Sequence, residues 1–397
     1  MLRFITSGES HGQGLIGIIE GLPAGLAISE EYINKQLERR QKGYGRGGRM
    51  AIEKDQVQII GGVRNGNTLG SPVSFLIKNL DYENWQEIMS PGPCPREKEK
   101  VVTRPRPGHA DLAGAIKYHQ IDMRNVLERA SARETAARVA AGAFFKKLLE
   151  EFSIYIYSQV VSIGEITVNP WQPDFDIKRL NDFKNIIESS SFHCYDKEAE
   201  SQFYQLVNQA REQGESLGGS FEVGAIGVPP GLGSHVSWER RMDALLAGLL
   251  MSIPAIKAVE IGDGFRNSYS PGSKVHDEVH YSNDSGLYRL TNRAGGIEGG
   301  ISNGEVVWAR AYMKPIPTLY KPLVSVNTSS WVEEKADIER SDICAVPAAA
   351  VVGEAMLAFG IARLFIEKFG GDHLQETRNN YLNYKNYMKK VWQWVKI

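Results

Sequence analysis

Residues 1–25 read MLRFITSGESHGQGLIGIIEGLPAG, and the fold turns on whether a strand or a helix comes after the glycine-rich turn in their middle. GESHG at 8–12 fits G-x-S-x-G, the pattern of a nucleophile elbow, which needs a strand, a sharp turn and then a helix. LRFIT supplies the strand. After the turn come glycines at 12, 14, 17 and 21, a β-branched run and Pro23, which suit a second strand better than a helix. The same stretch holds G-x-G-x-x-G at Gly12, Gly14 and Gly17, but a dinucleotide-binding turn must also open a helix. A serine hydrolase and a Rossmann fold both fail on this context. Antiparallel, hairpin-linked strands are expected instead.

The chain has 397 residues, 42% hydrophobic and 23% charged, with a net charge of −1. That length buries a sizeable core, and no global field favours nucleic acid or membrane. Forty glycines point to tight turns or to backbone brought close to a ligand. No apolar run approaches ~18 residues and no signal-like N-terminus is present, so a cytoplasmic location is expected. Cys94, Cys194 and Cys344 form no C-x-x-C pair and suggest neither a disulfide framework nor a zinc site. Arginines cluster at Arg39, Arg40, Arg46 and Arg49, at Arg104 and Arg106, and at Arg124, Arg129, Arg133 and Arg138. Guanidinium groups suit bidentate binding of phosphate or carboxylate; the alternative is a solvated charged face.

Ser29 to Gln41 reads as a helix, with Ser29 as N-cap, Glu30 and Glu31 in the first turn, Arg39 and Arg40 near the end and Gly43 as stop. Its end faces YGRGGR, a loop fit to close around a ligand; a lone RGG match argues only weakly for nucleic acid. Ser131 and Glu134 have capping-box spacing ahead of a long apolar-periodic helix, so Ser131 is expected as its N-cap, with Arg129 and Arg133 flanking an anion site. The chain also repeats itself. IIEGLPAGLAISEEYINKQLERR has a counterpart in GAIGVPPGLGSHVSWERRMDALLAG, GGVRNGNTLGSPVSFLIKN in GGISNGEVVWARAYMKP across N-G turns, and the helix after Ser131 in VPAAAVVGEAMLAFGIARLFIEKFG. These pairings imply two related halves, each strand-rich layer covered by helices. The fold expected is an α/β protein of α+β type, a helical layer between antiparallel sheets with an internal pseudo-two-fold repeat. Residues 165–215 read as a polar surface excursion, 1–370 as a single domain and 371–397 as a basic, aromatic tail, a terminal helix packed on a neighbour.

Two histidines lie in glycine-bounded, arginine-rich loops, His11 in SGESHG and His109 in RPRPGHAD, where imidazole can give or take a proton near neutral pH. HDEVH at 276–280 lacks the H-E-x-x-H order and a third ligand, so no metal is expected. Asp342, in ERSDICAVPAA, is a carboxylate candidate whose plainer role is an ion pair with Arg340.

SGESHG, GYGRGGRM, RPGHADLAGAIKY, RNVLERASARETAARVAAG, VEIGDGF and RSDICAVPAA together resemble successive signature stretches of the chorismate synthase family over residues 1 to about 370. The resemblance implies a lyase that converts 5-enolpyruvylshikimate 3-phosphate to chorismate and phosphate by 1,4-anti-elimination, dependent on reduced FMN without net redox change. It implies the sandwich fold above and a homotetramer, with no nucleic acid or membrane partner. Matched motif by motif, Ser10, Arg40, Arg46, Arg49 and Arg133 contact substrate. Arg129, Ala130, Ser131, Pro254, Ala255, Gly299, Lys314, Pro315, Ile316, Pro317, Thr318 and Arg340 contact flavin. His11 is implied as the general acid on the departing phosphate, His109 as balancing charge at the flavin's pyrimidine edge, and Asp342 as supporting proton handling at N5. Members often carry Asn-Ala where this chain has Pro254-Ala255, which leaves backbone contact only. With no separate reductase domain in the sequence, reduced flavin is expected from outside, NADPH being its possible external reductant.

Overall fold

The computed structural model describes residues 1–47, 54–93, 97–171, 177–339 and 341–394. Arg49 and Arg340, with part of the YGRGGR loop, lie outside them.

The opening stretch forms two strands, β1 (Arg3–Ser7) and β2 (Gly14–Glu20), antiparallel with Phe4 opposite Ile19. Gly17 is required there, because a Cβ would fall 2.1 Å from the Phe75 ring. Helix α1 (Glu30–Gln41) comes next, with the Ser29 side chain accepting the Tyr32 N–H as read from the sequence. Then come β3 (Val57–Gly61), the short hairpin β4 (Val63–Arg64) and β5 (Asn67–Thr68), and β6 (Val73–Lys78). The first sheet has the order β1-β2-β6-β3, all antiparallel.

Beyond this sheet lie three helices, α2 (Asp111–Tyr118), α3 (Arg124–Ala130) and α4 (Thr135–Glu150). Strands β7 (Tyr155–Ile163) and β8 (Ile166–Thr167) precede α5 (Ile177–Ser189) and α6 (Lys197–Gln213). After β9 (Gly219–Ile226) the chain continues through α7 (Met242–Met251), β10 (Ile256–Ile261), β11 (Val279–Ser282), β12 (Gly286–Arg289), β13 (Ile297–Glu298), β14 (Ile301–Ser302) and β15 (Val307–Met313). The second sheet has the order β10-β15-β9-β7-β8, again antiparallel. A last hairpin, β16 (Val324–Asn327) with β17 (Val332–Lys335), leads to α8 (Val346–Phe369) and α9 (Leu374–Trp392).

The helical layer between the sheets is built on α4 and α8. The first packs on β1 and β2, the second on β7 and β9, and the two pack on each other. Small residues let them approach: a Cβ on Gly142 would sit 2.3 Å from that of Ala355. Phe4, Phe145 and Phe359 form one aromatic contact across the layer. Helix α8 is long and apolar enough to cross a membrane by composition, yet 94% of its apolar window is buried inside the protein. Its one buried carboxylate, Glu354, is paired on all sides. Arg39 donates to both oxygens (2.6 and 2.8 Å), Ser158 donates at 2.7 Å and Lys146 at 2.5 Å. Burial would raise that carboxyl, but Arg39 and Lys146 outweigh it and hold it well below the usual range.

The expected repeat has a local counterpart with shifted register. Thr68 Oγ1 donates to the Pro23 carbonyl (2.6 Å) and accepts from the Leu26 N–H (3.0 Å); Ser302 Oγ does the same with Pro229 (2.6 Å) and Leu232 (2.8 Å). The element matching the Asn65-Gly66 turn is therefore the Gly299-Gly300 turn of β13–β14, not Asn303-Gly304. Both hairpins need positive φ at two successive residues, 49° and 73° in one and 60° and 83° in the other. Asn303 does not adopt it.

Two other expectations change. Residues 165–215 contain α5 and α6, each with a buried stripe, Leu180, Phe183 and Ile187 on one and Phe203, Val207 and Ala210 on the other. Their polar residues mask that period in the sequence. The tail is a helix that packs on its own chain: the Leu374 N–H donates to the Ala24 carbonyl, the Ala24 N–H donates to the Asp372 carbonyl, and Tyr381 is buried against Phe152, Phe365 and Phe369.

Candidate active site

The end of α1, the loop after β1, the α3–α4 junction, the segment after β15 and the start of α8 enclose a cleft of about 890 Å³. Of the expected positions among the described residues, Ser10, His11, Arg40, Arg46, His109, Ala130, Ser131, Arg133, Pro254, Ala255, Lys314, Ile316, Pro317, Thr318 and Asp342 line it. Arg129, Gly299 and Pro315 do not. Arg129 instead donates to the carbonyls of Thr6 and Gly8, and Gly299 sits on its hairpin turn with open space where a Cβ would be.

The helix start at Ser131 differs from the capping box expected. Ser131 comes directly after α3 and caps a short 3₁₀ turn, Ala132–Glu134, accepting the Arg133 N–H at 3.3 Å. Glu134 turns to Arg138 instead of reaching back. Of the two arginines expected beside Ser131, Arg133 lines the cleft, while Arg129 bonds the β1 end.

One wall is cationic and braced from behind. Arg133 donates to Asn79 Oδ1 at 3.0 Å and pairs with buried Asp55. Arg40, 4% exposed, donates to Thr135 Oγ1 (2.9 Å) and the Ala132 carbonyl (3.0 Å), with Asp55 Oδ2 at 3.5 Å from Nη1. Burial lowers its guanidinium to about 10, with Asp55 pulling the other way. Asn79 also donates to the Glu9 and Gly12 carbonyls and so fixes the SGESHG loop against this wall. Arg46 pairs with Asp342 at 2.9 Å, and Asp342 accepts the Gly47 N–H at 2.6 Å. Among the described residues Asp342 thus has an arginine remote in sequence as a partner; the expected pair with Arg340 lies outside them.

His11 lies at the mouth of this wall. Its Nδ1 is 2.9 Å from Glu128 Oε1, its backbone N–H donates to Glu128 Oε2 at 2.8 Å, and its ring stacks on Trp85 at 4.1 Å. At the other end His109 Nδ1 lies 2.5 Å from Asp111 Oδ1, while Asp111 also accepts from Arg106 Nε at 2.8 Å. Burial of Asp111 is outweighed by His109 and Arg106, which hold its carboxyl far below the usual range. Arg106 reaches on to Thr318 Oγ1 at 3.0 Å, and Lys314 Nζ donates to the Gly108 carbonyl. Ala255 adopts φ 68°, rare for a residue with a Cβ, and its carbonyl accepts the Lys314 N–H at 2.9 Å.

Between the two ends the floor is small and apolar: Ala345, Ala348, Ala349 and Val352 of α8 and its approach, facing Ile253 and Met313. Guanidiniums at the rim and a smooth floor fit a flat ring system that carries a phosphate, beside a second anionic molecule. Glu128, Trp85, Asp55 and Asp111 escape the sequence reading, and Arg106 is read there only as part of an arginine cluster. Trp85 and Asp55 sit in loops without periodicity. Glu128 carries one signal, its i,i+4 spacing from Arg124, which binds it at 3.1 Å.

The chain matches the chorismate synthase family over residues 2–366. It is 67% identical over 397 residues to the chorismate synthase of Syntrophomonas wolfei, covering 100% of both chains. It is 56% identical over 384 residues to that of Desulforudis audaxviator, covering 97% of each. A crystal structure of chorismate synthase, 44% identical, has a TM-score of 0.80 and covers 98% of this chain and 99% of its own.

Proposed function

The chain belongs to the chorismate synthase family of carbon–oxygen lyases in the shikimate pathway, and from that premise we propose how this cleft carries the reaction. The substrate is 5-enolpyruvylshikimate 3-phosphate; chorismate and inorganic phosphate leave by 1,4-anti-elimination. The observation that supports this most is the braced arginine wall beside His11, opposite an apolar floor, in one cleft. Members of the family generally need reduced flavin. In this chain Ala130, Ser131, Pro254, Ala255, Lys314, Ile316, Pro317 and Thr318 would hold reduced FMN, with Arg340 joining them from outside the described residues. When bound, the reduced flavin supplies the electron density that the elimination draws on.

Arg40, Arg46 and Arg133, with Ser10, bind the phosphate and carboxylates of the substrate, and Arg49 belongs with them. Arg40 and Arg133, preset by Asp55, Asn79 and Thr135, and Arg46, preset by Asp342, lose little freedom on binding. His11 gives a proton to the phosphate oxygen as the bond to carbon 3 breaks. Asp342, fixed by Arg46 and the Gly47 N–H, handles the proton lost from carbon 6. His109, oriented by Asp111, balances negative charge at the far end of the cleft. Ser10 is a binding residue, a role in which its hydroxyl needs no activating base.

Reduced flavin is supplied from outside, with NADPH as the external reductant. The assembly is a homotetramer in the cytoplasm, built on residues 1–370 with 371–397 as a packed tail. Ile5, Ile16, Ile18 and Ile60, exposed on the first sheet, support self-association.

The His11→Ala variant tests this reading. Its turnover falls roughly 10²–10⁴-fold while flavin still binds. Turnover near that of the unaltered protein removes His11 from the chemistry.

A further inference from the structure

Glu128 is 1% exposed at the last turn of α3, directly behind His11, and so far has no task beyond its contacts. One carboxylate takes both the backbone N–H of His11 and its ring Nδ1, the latter at 2.9 Å from Oε1 and 3.0 Å from Oε2. The Ser10 N–H donates to the Glu128 carbonyl at 3.0 Å, so the catalytic loop is tied to the same residue at three points. Trp85 closes one face of the imidazole at an interplanar angle of 28°. Nε2 is the ring nitrogen left to meet a ligand.

We propose that Glu128 is a positioning residue for the elimination, fixing the proton on Nδ1 of His11 so that Nε2 carries the proton given to the leaving phosphate. The inference rests on the reading of His11 as general acid. The balance is simple. An imidazolium bonded through Nδ1–H to Glu128 releases its Nε2 proton to a phosphate oxygen, and the product is the neutral Nδ1–H tautomer, still bonded to the same carboxylate. Solvent then returns the proton. Without the carboxylate, the neutral ring is free to keep its proton on Nε2, and the cation loses its nearest counter-charge.

The surroundings bear on this. Arg124 binds Glu128 at 3.1 Å and stands over Trp85, as does Lys100. Glu339 answers Arg124 at 3.4 Å. Glu9 belongs to the His11 loop, and Asp81, Arg40, Arg46, Arg133 and Asp342 line the same cleft. Among these, Glu128 is the carboxylate in contact with the ring. Burial would raise it, but the bond and charge of His11 and the charge of Arg124 outweigh that and keep it below the usual range.

The test is ring-nitrogen NMR of the full chain labelled with ¹⁵N-histidine, read beside anaerobic kinetics. In the unaltered protein the neutral His11 ring should be protonated on Nδ1; a proton on Nε2 with Nδ1 bare overturns the proposal without any variant. In Glu128→Gln the ring should titrate at a pH lower by about 1 unit or more, the size of a lost contact charge. Turnover should fall roughly 10–10²-fold, with its alkaline limb moved the same way and flavin binding unchanged. Equal loss of rate with an unmoved titration and pH profile would mean a merely structural role and overturn it. Glu128→Asp, which keeps the charge, should recover part of the rate. Normal turnover in His11→Ala would overturn the general-acid reading, and this inference with it, whatever the spectra show.

Discussion

Asp342 shows how a residue acquires its role from partners the sequence does not place beside it. Two residues from Arg340, which lies outside the described residues, it reads as a local ion pair; the described structure adds Arg46 and the Gly47 N–H from the loop after α1. A carboxylate fixed from two sides and open to the cleft suits proton handling. The expected result is that Asp342→Asn slows turnover with little change in substrate affinity, measured as a kcat loss at nearly constant KM. A pure loss of affinity would leave it only its bond to Arg46. The motif histidines and arginines were legible because their loops are glycine-bounded and rich in charge. Asp55 and Glu128 were not, because a carboxylate buried behind an arginine or histidine is chosen by tertiary contact, and neither periodicity nor composition marks it.

At the scale of elements, legibility tracked local physics. The helix from Ser29 was readable because cap, acidic first turn and basic last turn all agree, and the structure keeps each of them. Ser131 was misread because a 3₁₀ turn intervenes between it and α4, so the S-x-x-E spacing meets a different hydrogen-bond pattern. The hairpin repeat was visible but one turn out of place, since Gly299-Gly300 meets the same positive-φ demand as Asn65-Gly66 without an asparagine. Helix α1 carries Arg40 into the cleft at its C-terminal end, so its cap matters to the site. Replacing Ser29 by Ala removes the bond to the Tyr32 N–H and should cost about 1 kcal/mol of stability in thermal or urea unfolding. No loss of stability would mean that α1 is held by its packing alone.

Across the whole molecule the two-sheet sandwich hides titratable groups whose pH responses oppose one another. Burial lowers His193 from 6.5 to about 4, so the unfolded chain binds a proton that the folded one does not, and stability falls as pH drops through that window. Burial raises Glu222 from 4.5 to about 7 despite Arg310, so the folded chain keeps a proton and stability falls as pH rises through that window. Between 4.5 and 6.5 the two slopes offset. Below that range Asp111, Glu128 and Glu354, all held below their usual values, lose their contribution as pH falls. Thermal melts of the unaltered protein should therefore vary little from pH 4.5 to 6.5 and fall steeply in stronger acid. Glu222→Gln should unmask the slope of His193, and a profile still flat in that variant would contradict the assignment. The chemistry of the intact protein is tested most directly by anaerobic incubation with 5-enolpyruvylshikimate 3-phosphate, with and without reduced FMN, following chorismate absorbance and phosphate together. Equal amounts of both products, formed only with reduced flavin, are the predicted result; phosphate released without chorismate would contradict it.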